Sequence, residues 1–195
     1  MRNIRTAILI DGGHLRVKAQ HAKKVYDPDY IERVAHACLA SDEALLRILY
    51  YDCAPYCGEV RLPVSGNKTM FAKPGDWLHQ LAQKDLFAVR RGVLKFRGWV
   101  PKKIPTTPRE LHDADFQPVF EQKGVDMRIG LDVATYSAAR LVDRLILVSG
   151  DTDCVPAMKQ ARKHGVQMVL VTFPSVGVSG DLLSHTDFRR EIAWP

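Results

Sequence analysis

A chain of 195 residues, 46% hydrophobic and 26% charged, is long enough to bury a substantial core without disulfides. Its formal net charge of +6 and pI near 9.2 favour an acidic partner, with nucleic acid the leading candidate. No apolar run reaches the roughly eighteen residues of a membrane span, and no apolar targeting segment precedes the first strand pattern.

The first apolar run is Thr6 to Ile10, a short strand followed at once by Asp11-Gly-Gly-His14. His14 to Lys24 is basic and helical in pattern. Asp27-Pro28 is a helix start, with Asp27 as cap and Pro28 in the first turn, and the helix runs to about Leu39. Tyr30, Ile31, Val34, Ala35 and Cys38 recur at three and four residues and form its buried stripe. Leu45 to Cys53, rich in aliphatic and aromatic residues, is the second strand.

From Ala54 to Asp76 the composition shifts to Pro, Gly, Ser, Asn and Lys, which predicts a long irregular loop of the kind that is functional or disordered. Trp77 to Asp85 reads as a short helix. Phe87 to Val100 is strand-like, with Gly92 and Gly98 as bends, and Pro101 to Asp113 is irregular again. A helix follows from about Gly124 to Leu141, with Asp126 placed to cap it and Met127, Leu131, Ala134, Ala138 and Leu141 as its apolar stripe.

Leu145 to Val148 is a continuous apolar run, suited to a strand covered on both faces, and Ser149-Gly150 ends it. Val155 to Lys163 is helical in spacing and Val166 to Phe173 is a further strand; from Pro174 onward the pattern is weak. Strands alternating with helices imply right-handed crossovers and a mainly parallel sheet with helices on both faces. Cys38, Cys53, Cys57 and Cys154 are irregularly spaced, as in reduced cytoplasmic proteins. Cys53-x-x-x-Cys57 has no accompanying Cys/His pair to complete a zinc site, which leaves two small residues in a loop.

Asp11 and Asp151 both stand at the carboxyl ends of apolar strands, where open α/β sheets bind ligands. If the strands are neighbours, the two acids converge. Like charges ~4 Å apart repel by roughly 4 kcal/mol at an effective dielectric near 20, so such a cluster calls for a cation. Asp126, Asp132 and Asp153 sit at or near helix starts, where each also has an ordinary reading: Asp126 as a helix cap, Asp153 as the cap of the helix at Val155. On a regular helix Asp126 and Asp132 point about 120° apart.

Taken in order, Ile8-Leu-Ile-Asp-Gly-Gly-His-Leu15, Lys123-Gly-Val-Asp-Met-Arg-Ile-Gly-Leu-Asp132 and Val148-Ser-Gly-Asp-Thr-Asp-Cys-Val-Pro156 resemble the signature blocks of the NYN domain, the LabA-like branch of the PIN-like nucleases. The resemblance covers nearly the whole chain. It implies one NYN/PIN-like domain over residues 1–195, with a Rossmann-like three-layer α/β fold. It further implies a divalent-metal site that cleaves RNA phosphodiesters. By motif position Asp11, Asp126, Asp132, Asp151 and Asp153 become the catalytic acids, with Asp11, Asp126, Asp151 and Asp153 holding Mg²⁺ or Mn²⁺. The family more often has Asn where this chain has His14. His14 is then either a donor to phosphate, able to add charge near neutral pH, or a partly exposed helix-start residue.

The chemistry suits the residues independently, because Mg²⁺ and Mn²⁺ prefer oxygen ligands and a mostly carboxylate site leaves waters on the ion. Arg90, Arg91, Lys95, Arg97, Lys102 and Lys103 surround Phe96 and Trp99 without an intervening acid over residues 88–103. Two readings stand: a platform gripping single-stranded RNA through His14, Arg90, Arg91, Lys95, Arg97 and Trp99, or an edge strand protected by charge. The leading expectation is a metal-dependent ribonuclease, and the alternative is an RNA-binding or regulatory module without turnover. A phosphatase of the haloacid-dehalogenase type wants Asp-x-Asp after the first strand, where this chain has Gly13. No P-loop or G-x-G-x-x-G occurs. A homo-oligomer is compatible with the composition.

Overall fold

A computed structural model of the chain describes residues 3–71, 77–104 and 109–195. The end of the expected loop at 72–76, with Pro74 and Gly75, and residues 105–108 of the second irregular stretch lie outside the described residues. In chain order the elements are β1 (Ile4–Asp11), α1 (Gly12–His21), α2 (Pro28–Ala37), β2 (Glu43–Cys53), β3 (Gly58–Arg61), β4 (Lys68–Phe71), α3 (Trp77–Ala82) and β5 (Phe87–Pro101). They continue with β6 (Phe116–Lys123), α4 (Val125–Ala138), β7 (Arg144–Val148), α5 (Val155–Lys163), β8 (Gln167–Thr172), α6 (Gly180–Ser184) and β9 (Phe188–Glu191).

The fold is mixed α/β, with helices flanking a seven-stranded, mostly parallel sheet of order β6-β5-β2-β1-β7-β8-β9. The pairs β1–β2, β1–β7, β7–β8 and β8–β9 are parallel, and β5–β6 is antiparallel. Chain contacts gather into two compact units: Met1–Asp52, Trp77–Arg91 and Gly124–Pro195 form the first, Cys53–Asp76 and Gly92–Lys123 the second.

In the first unit the central strands behave as their apolar runs require. Every residue of β7 is buried, as are Ala7 to Ile10 of β1. From β1 the chain proceeds to β2 on one side, whereas from β7 it proceeds to β8 on the other. The crevice beyond the carboxyl ends of β1 and β7 is therefore a topological switch point. Ile10 lies opposite Val148 in the register, so the residues that follow each strand emerge side by side.

Helix α2 follows its sequence pattern: Asp27 Oδ1 accepts from the Tyr30 amide at 2.7 Å, and Tyr30, Ile31, Val34, Ala35 and Cys38 are buried. Helix α4 departs from its pattern. Its buried row is Val125, Ile129, Val133 and Ser137, while Met127 is 72% and Leu131 61% exposed. Both rows repeat at helical spacing, so periodicity does not choose between them; the β-branched row packs inward. The amino-terminal cap is Gly124, in the left-handed conformation at φ 77°, and no side chain caps the helix. Asp126 is thus in the first turn and is not the cap expected of it.

At the amino ends of the strands, the enclosed Glu43 side chain joins two arginines from other strands: Arg144 Nη1 at 2.7 Å and Arg190 Nη1 at 2.8 Å. The Ala40 amide donates to the same carboxylate at 2.7 Å. Burial alone would push Glu43 up, but Arg190, Arg144 and this amide outweigh it and hold its pKa at about 2.

The second unit corrects the expectation of a plain irregular loop, since residues 58–71 contain an antiparallel hairpin, β3 against β4, turning at Pro63–Gly66. Strand β6, in a stretch where the sequence pattern shows no strand, pairs with the distal part of β5. Tyr56, Phe71, Phe96, Trp99 and Phe120 cluster there, with neighbouring ring centroids 5.4–6.2 Å apart. A register shift between Phe96 and Gly98, with Gly98 at φ 110°, returns Trp99 to the face of Phe96. Pairing thus recovers strands that composition conceals. The weak carboxyl-terminal pattern likewise resolves into α6 and β9, the latter pairing in parallel with β8.

Candidate metal centre

Three carboxylates meet at the switch point. Asp126, Asp151 and Asp153 each offer one oxygen, and these atoms all lie within 4.8 Å of one another. Asp151 follows β7, and its Oδ1 accepts from the Asp153 amide at 2.9 Å, which folds residues 152–154 into a single 3₁₀ turn ahead of α5. That turn brings Asp153 back toward Asp151. Helix α5 starts without a side-chain cap, so Asp153 does not cap it. Asp126 comes from α4, and burial followed by the charges of Asp151, Asp11 and Asp153 raises its pKa. Two like charges ~4.8 Å apart cost about 3 kcal/mol at an effective dielectric near 20, an unfavourable field that a cation relieves.

Asp11 stands beside this group and is engaged separately. Its Oδ1 accepts from the His14 amide at 3.0 Å, capping α1, and its Oδ2 accepts from Ser149 Oγ at 3.1 Å. Ser149 Oγ in turn accepts from the Asp151 amide at 3.1 Å. The two strand-end acids are therefore linked through Ser149. Burial raises the pKa of Asp11, its two hydrogen bonds oppose that, and Asp151 and Asp52 add to the rise. Cys154, buried beneath Ser149, is pushed up to about 12 by burial and remains a thiol.

His14 has its imidazole packed against Gly150; a Cβ at position 150 would sit 2.5 Å from His14 Cε1. Burial and then Lys18 lower its pKa to about 4, against a smaller opposing pull from Asp151. The imidazole is neutral at pH 7, and the expected added charge near neutral pH is corrected by this desolvation.

Asp132 belongs to a different cluster. It accepts from Tyr51 Oη at 2.9 Å and from Arg90 Nε at 2.9 Å. It lies six positions along α4 from Asp126, and the resulting rotation keeps the two carboxylates apart. Arg90 is accordingly ion-paired.

One acid escaped the sequence reading. Asp52 stands at the carboxyl end of β2, after the buried run Ile48 to Tyr51, and its side chain is fully enclosed, accepting from Tyr50 Oη at 3.0 Å and Arg16 Nη2 at 3.0 Å. Tyr50 Oη and Tyr26 Oη are 2.6 Å apart, and Tyr26 donates to the Gly12 carbonyl at 3.1 Å. Gly12 has no room for a side chain, because a Cβ would lie 2.3 Å from Tyr50 Oη. The strand-end grammar that marks Asp11 and Asp151 marks Asp52 as well.

Within the second unit Lys95 and Arg97 are exposed, and Arg97 is ion-paired with Glu121. Phe96 and Trp99 are in the aromatic cluster, and Trp99 Nε1 donates to the Arg61 carbonyl at 2.8 Å. Strand alternation separates the cations from the rings. Arg91 is exposed on β5.

Comparison with known proteins gives three results. A family model described as NYN domain matches residues 5–190. A crystal structure of a protein of unknown function from Vibrio parahaemolyticus superposes with a TM-score of 0.60 at 17% identity, covering 98% of this chain and 94% of that one. That likeness is one of fold. The 6-hydroxy-3-succinoylpyridine 3-monooxygenase HspA of Pseudomonas putida (strain DSM 28022 / S16) is 28% identical over 95 residues, 47% of this chain and 30% of that protein. The match thus spans less than a third of the length of this curated relative.

Proposed function

Since the chain belongs to the NYN domain family, whose members are typically nucleases, we propose that it is a divalent-metal-dependent endoribonuclease. The observation that carries the proposal is the group of Asp126, Asp151 and Asp153 oxygens within 4.8 Å at the switch point. Three hard oxygen donors with solvent access fit Mg²⁺ or Mn²⁺, which retain waters and take few protein ligands. Those three acids would hold the ion. Bound there, it supplies Lewis acidity toward the phosphate and acidifies water for attack on phosphorus.

The remaining residues position and donate. Asp11, through Ser149, fixes the backbone from which Asp151 projects. Neutral His14 presents a ring N–H to a phosphate oxygen. Asp132 and Tyr51 hold Arg90, whose guanidinium carries the fixed positive charge of this part of the site. The order of the three aspartate blocks supports the LabA-like branch as the finer assignment. Because the matched span of 5–190 runs through both compact units, we take them as one domain. No helix among the described residues is long and apolar enough to cross a membrane. The irregular spacing of the four cysteines supports a cytoplasmic setting.

The test is incubation of purified protein with end-labelled single-stranded and hairpin RNA, in Mg²⁺, in Mn²⁺ and in chelator. Cleavage products are expected only with metal. Tight RNA binding without metal-stimulated cleavage would replace this reading with that of a binding module.

The basic segment of β5 and the residues just after it are proposed to grip phosphates through their exposed lysines. Replacing Lys95, Lys102 and Lys103 with Ala should flatten the plot of log affinity against log salt by up to about 0.7 per lost phosphate contact. An unchanged slope assigns the segment to edge protection.

A further inference from the structure

Against α1, the helix that Asp11 caps, and wholly within the first compact unit, is a pocket of about 470 Å³ whose lining includes Arg16, Gln20, Tyr26, Asp27, Trp77 and Gln80. This is a size ordinary for small-ligand sites. We propose that it is a nucleobase subsite, holding a base of the substrate strand near the cleaved phosphate.

The position of the pocket follows from α1. Gly12, Arg16 and Gln20 recur every four residues and form one row on that helix. The row begins next to Asp11. At 1.5 Å per residue, Arg16 lies roughly 7 Å and Gln20 roughly 13 Å along the axis from Asp11, the reach of a nucleotide or two.

Its walls have the chemistry of base recognition. The half-buried Trp77 ring stands edge-on to Tyr26, with centroids 6.1 Å apart, and to Tyr50 at 6.0 Å. The Arg16 guanidinium lies 6.0 Å from the Tyr26 centroid. Aromatic rings and arginine planes are the surfaces on which unpaired bases stack. At the rim, the exposed Gln20 and Gln80 amides donate and accept, as the edges of a base require.

The walls are also fixed in advance. Tyr26 is held by its hydrogen bond to the Gly12 carbonyl and by the Tyr50 hydroxyl 2.6 Å away, and Arg16 is held by Asp52, whose fully enclosed side chain also accepts from Tyr50. A stacking surface that is already ordered loses little entropy on binding. The network around Asp52 thereby gains a purpose: it holds an aromatic wall against the first turn of α1, which Asp11 caps.

This subsite rests on the RNA-cleaving reading for its role but not for its detection. Binding of AMP, GMP, CMP, UMP and ribose 5-phosphate to the whole protein is measured calorimetrically in chelator. The mononucleotides are expected to bind at least tenfold more tightly than ribose 5-phosphate. Trp77→Leu should remove about tenfold of that affinity, and the exposed Gln80→Ala several-fold, with the melting temperature showing that each variant is folded. On a mixed-sequence RNA, Gln80→Ala should shift the pattern of cleavage positions. Ribose 5-phosphate binding as well as AMP, or Gln80→Ala and a folded Trp77→Leu both retaining full mononucleotide affinity, overturns the subsite even if RNA is cut. Trp77-dependent nucleotide binding without RNA cleavage leaves the subsite standing and removes the nuclease.

Discussion

Asp151→Asn is expected to lower metal-dependent RNA cleavage by at least about a hundredfold, which is roughly 2.7 kcal/mol of transition-state stabilisation. The substitution nearly preserves shape. An Asn carbonyl oxygen still accepts from the Asp153 amide, so the 3₁₀ turn and the strand end should persist. What disappears is one of three negative charges in a group whose oxygens lie within 4.8 Å, and with it much of the attraction for a divalent ion. Affinity for RNA in chelator should hold or rise, because metal-free carboxylates repel phosphate and one of them is gone. Single-turnover rates with a metal titration, beside a chelator binding curve, separate the two effects. Full metal-dependent activity in the variant would remove Asp151 from the ligand set and sink the nuclease reading built on this loop.

Glu43→Gln is expected to cost about 3–5 kcal/mol of folding stability, because Arg144 and Arg190 would be left without the carboxylate they share. Their own side chains are only 10% and 21% exposed, so water replaces little of the lost charge. The pH dependence has a definite sign. Glu43 titrates at about 2 in the folded chain against 4.5 ordinarily, so its contribution is fully present above about pH 4.5 and is lost as pH falls toward 2. A shift of this size corresponds to about 3 kcal/mol. Guanidinium midpoints for wild type and variant between pH 2 and pH 6 should converge at the acid end. A constant gap across that range, or a gap under about 1 kcal/mol at pH 6, would mean that the buried cluster is not held by this charge.

Much of the site is written in single residues that local chemistry can read. Asp11 ends an apolar run directly and Asp151 follows one after the Ser149-Gly150 turn, and an apolar run that stops at such a polar end has few places to go except a strand end. Asp52 carries the same mark and could have been found by it. Other parts depend on facing surfaces. Phe96 and Trp99, three residues apart, share a face only because the ladder shifts at Gly98. His14 is neutral only because it is half-buried, packed against Gly150, which no local pattern records.

By itself the sequence determined the alternation of strands and helices, the burial of β1 and β7, the capped start of α2, and the order of the acidic blocks. These follow from short-range rules: periodicity, the φ of proline, the reach of a capping side chain. Tertiary structure alone decided which acids lie together. Asp126, Asp151 and Asp153 converge because the strand order sets β7 beside β1 and α4 brings its first turn there, while helical rotation gives Asp132 to Tyr51 and Arg90. It also decided which apolar row of α4 faces inward, since Val125–Ile129–Val133 and Met127–Leu131 satisfy the same period and only the surface opposite distinguishes them. Distances between carboxylates are set by the packing of segments far apart in the chain, and no window of neighbouring residues contains that information.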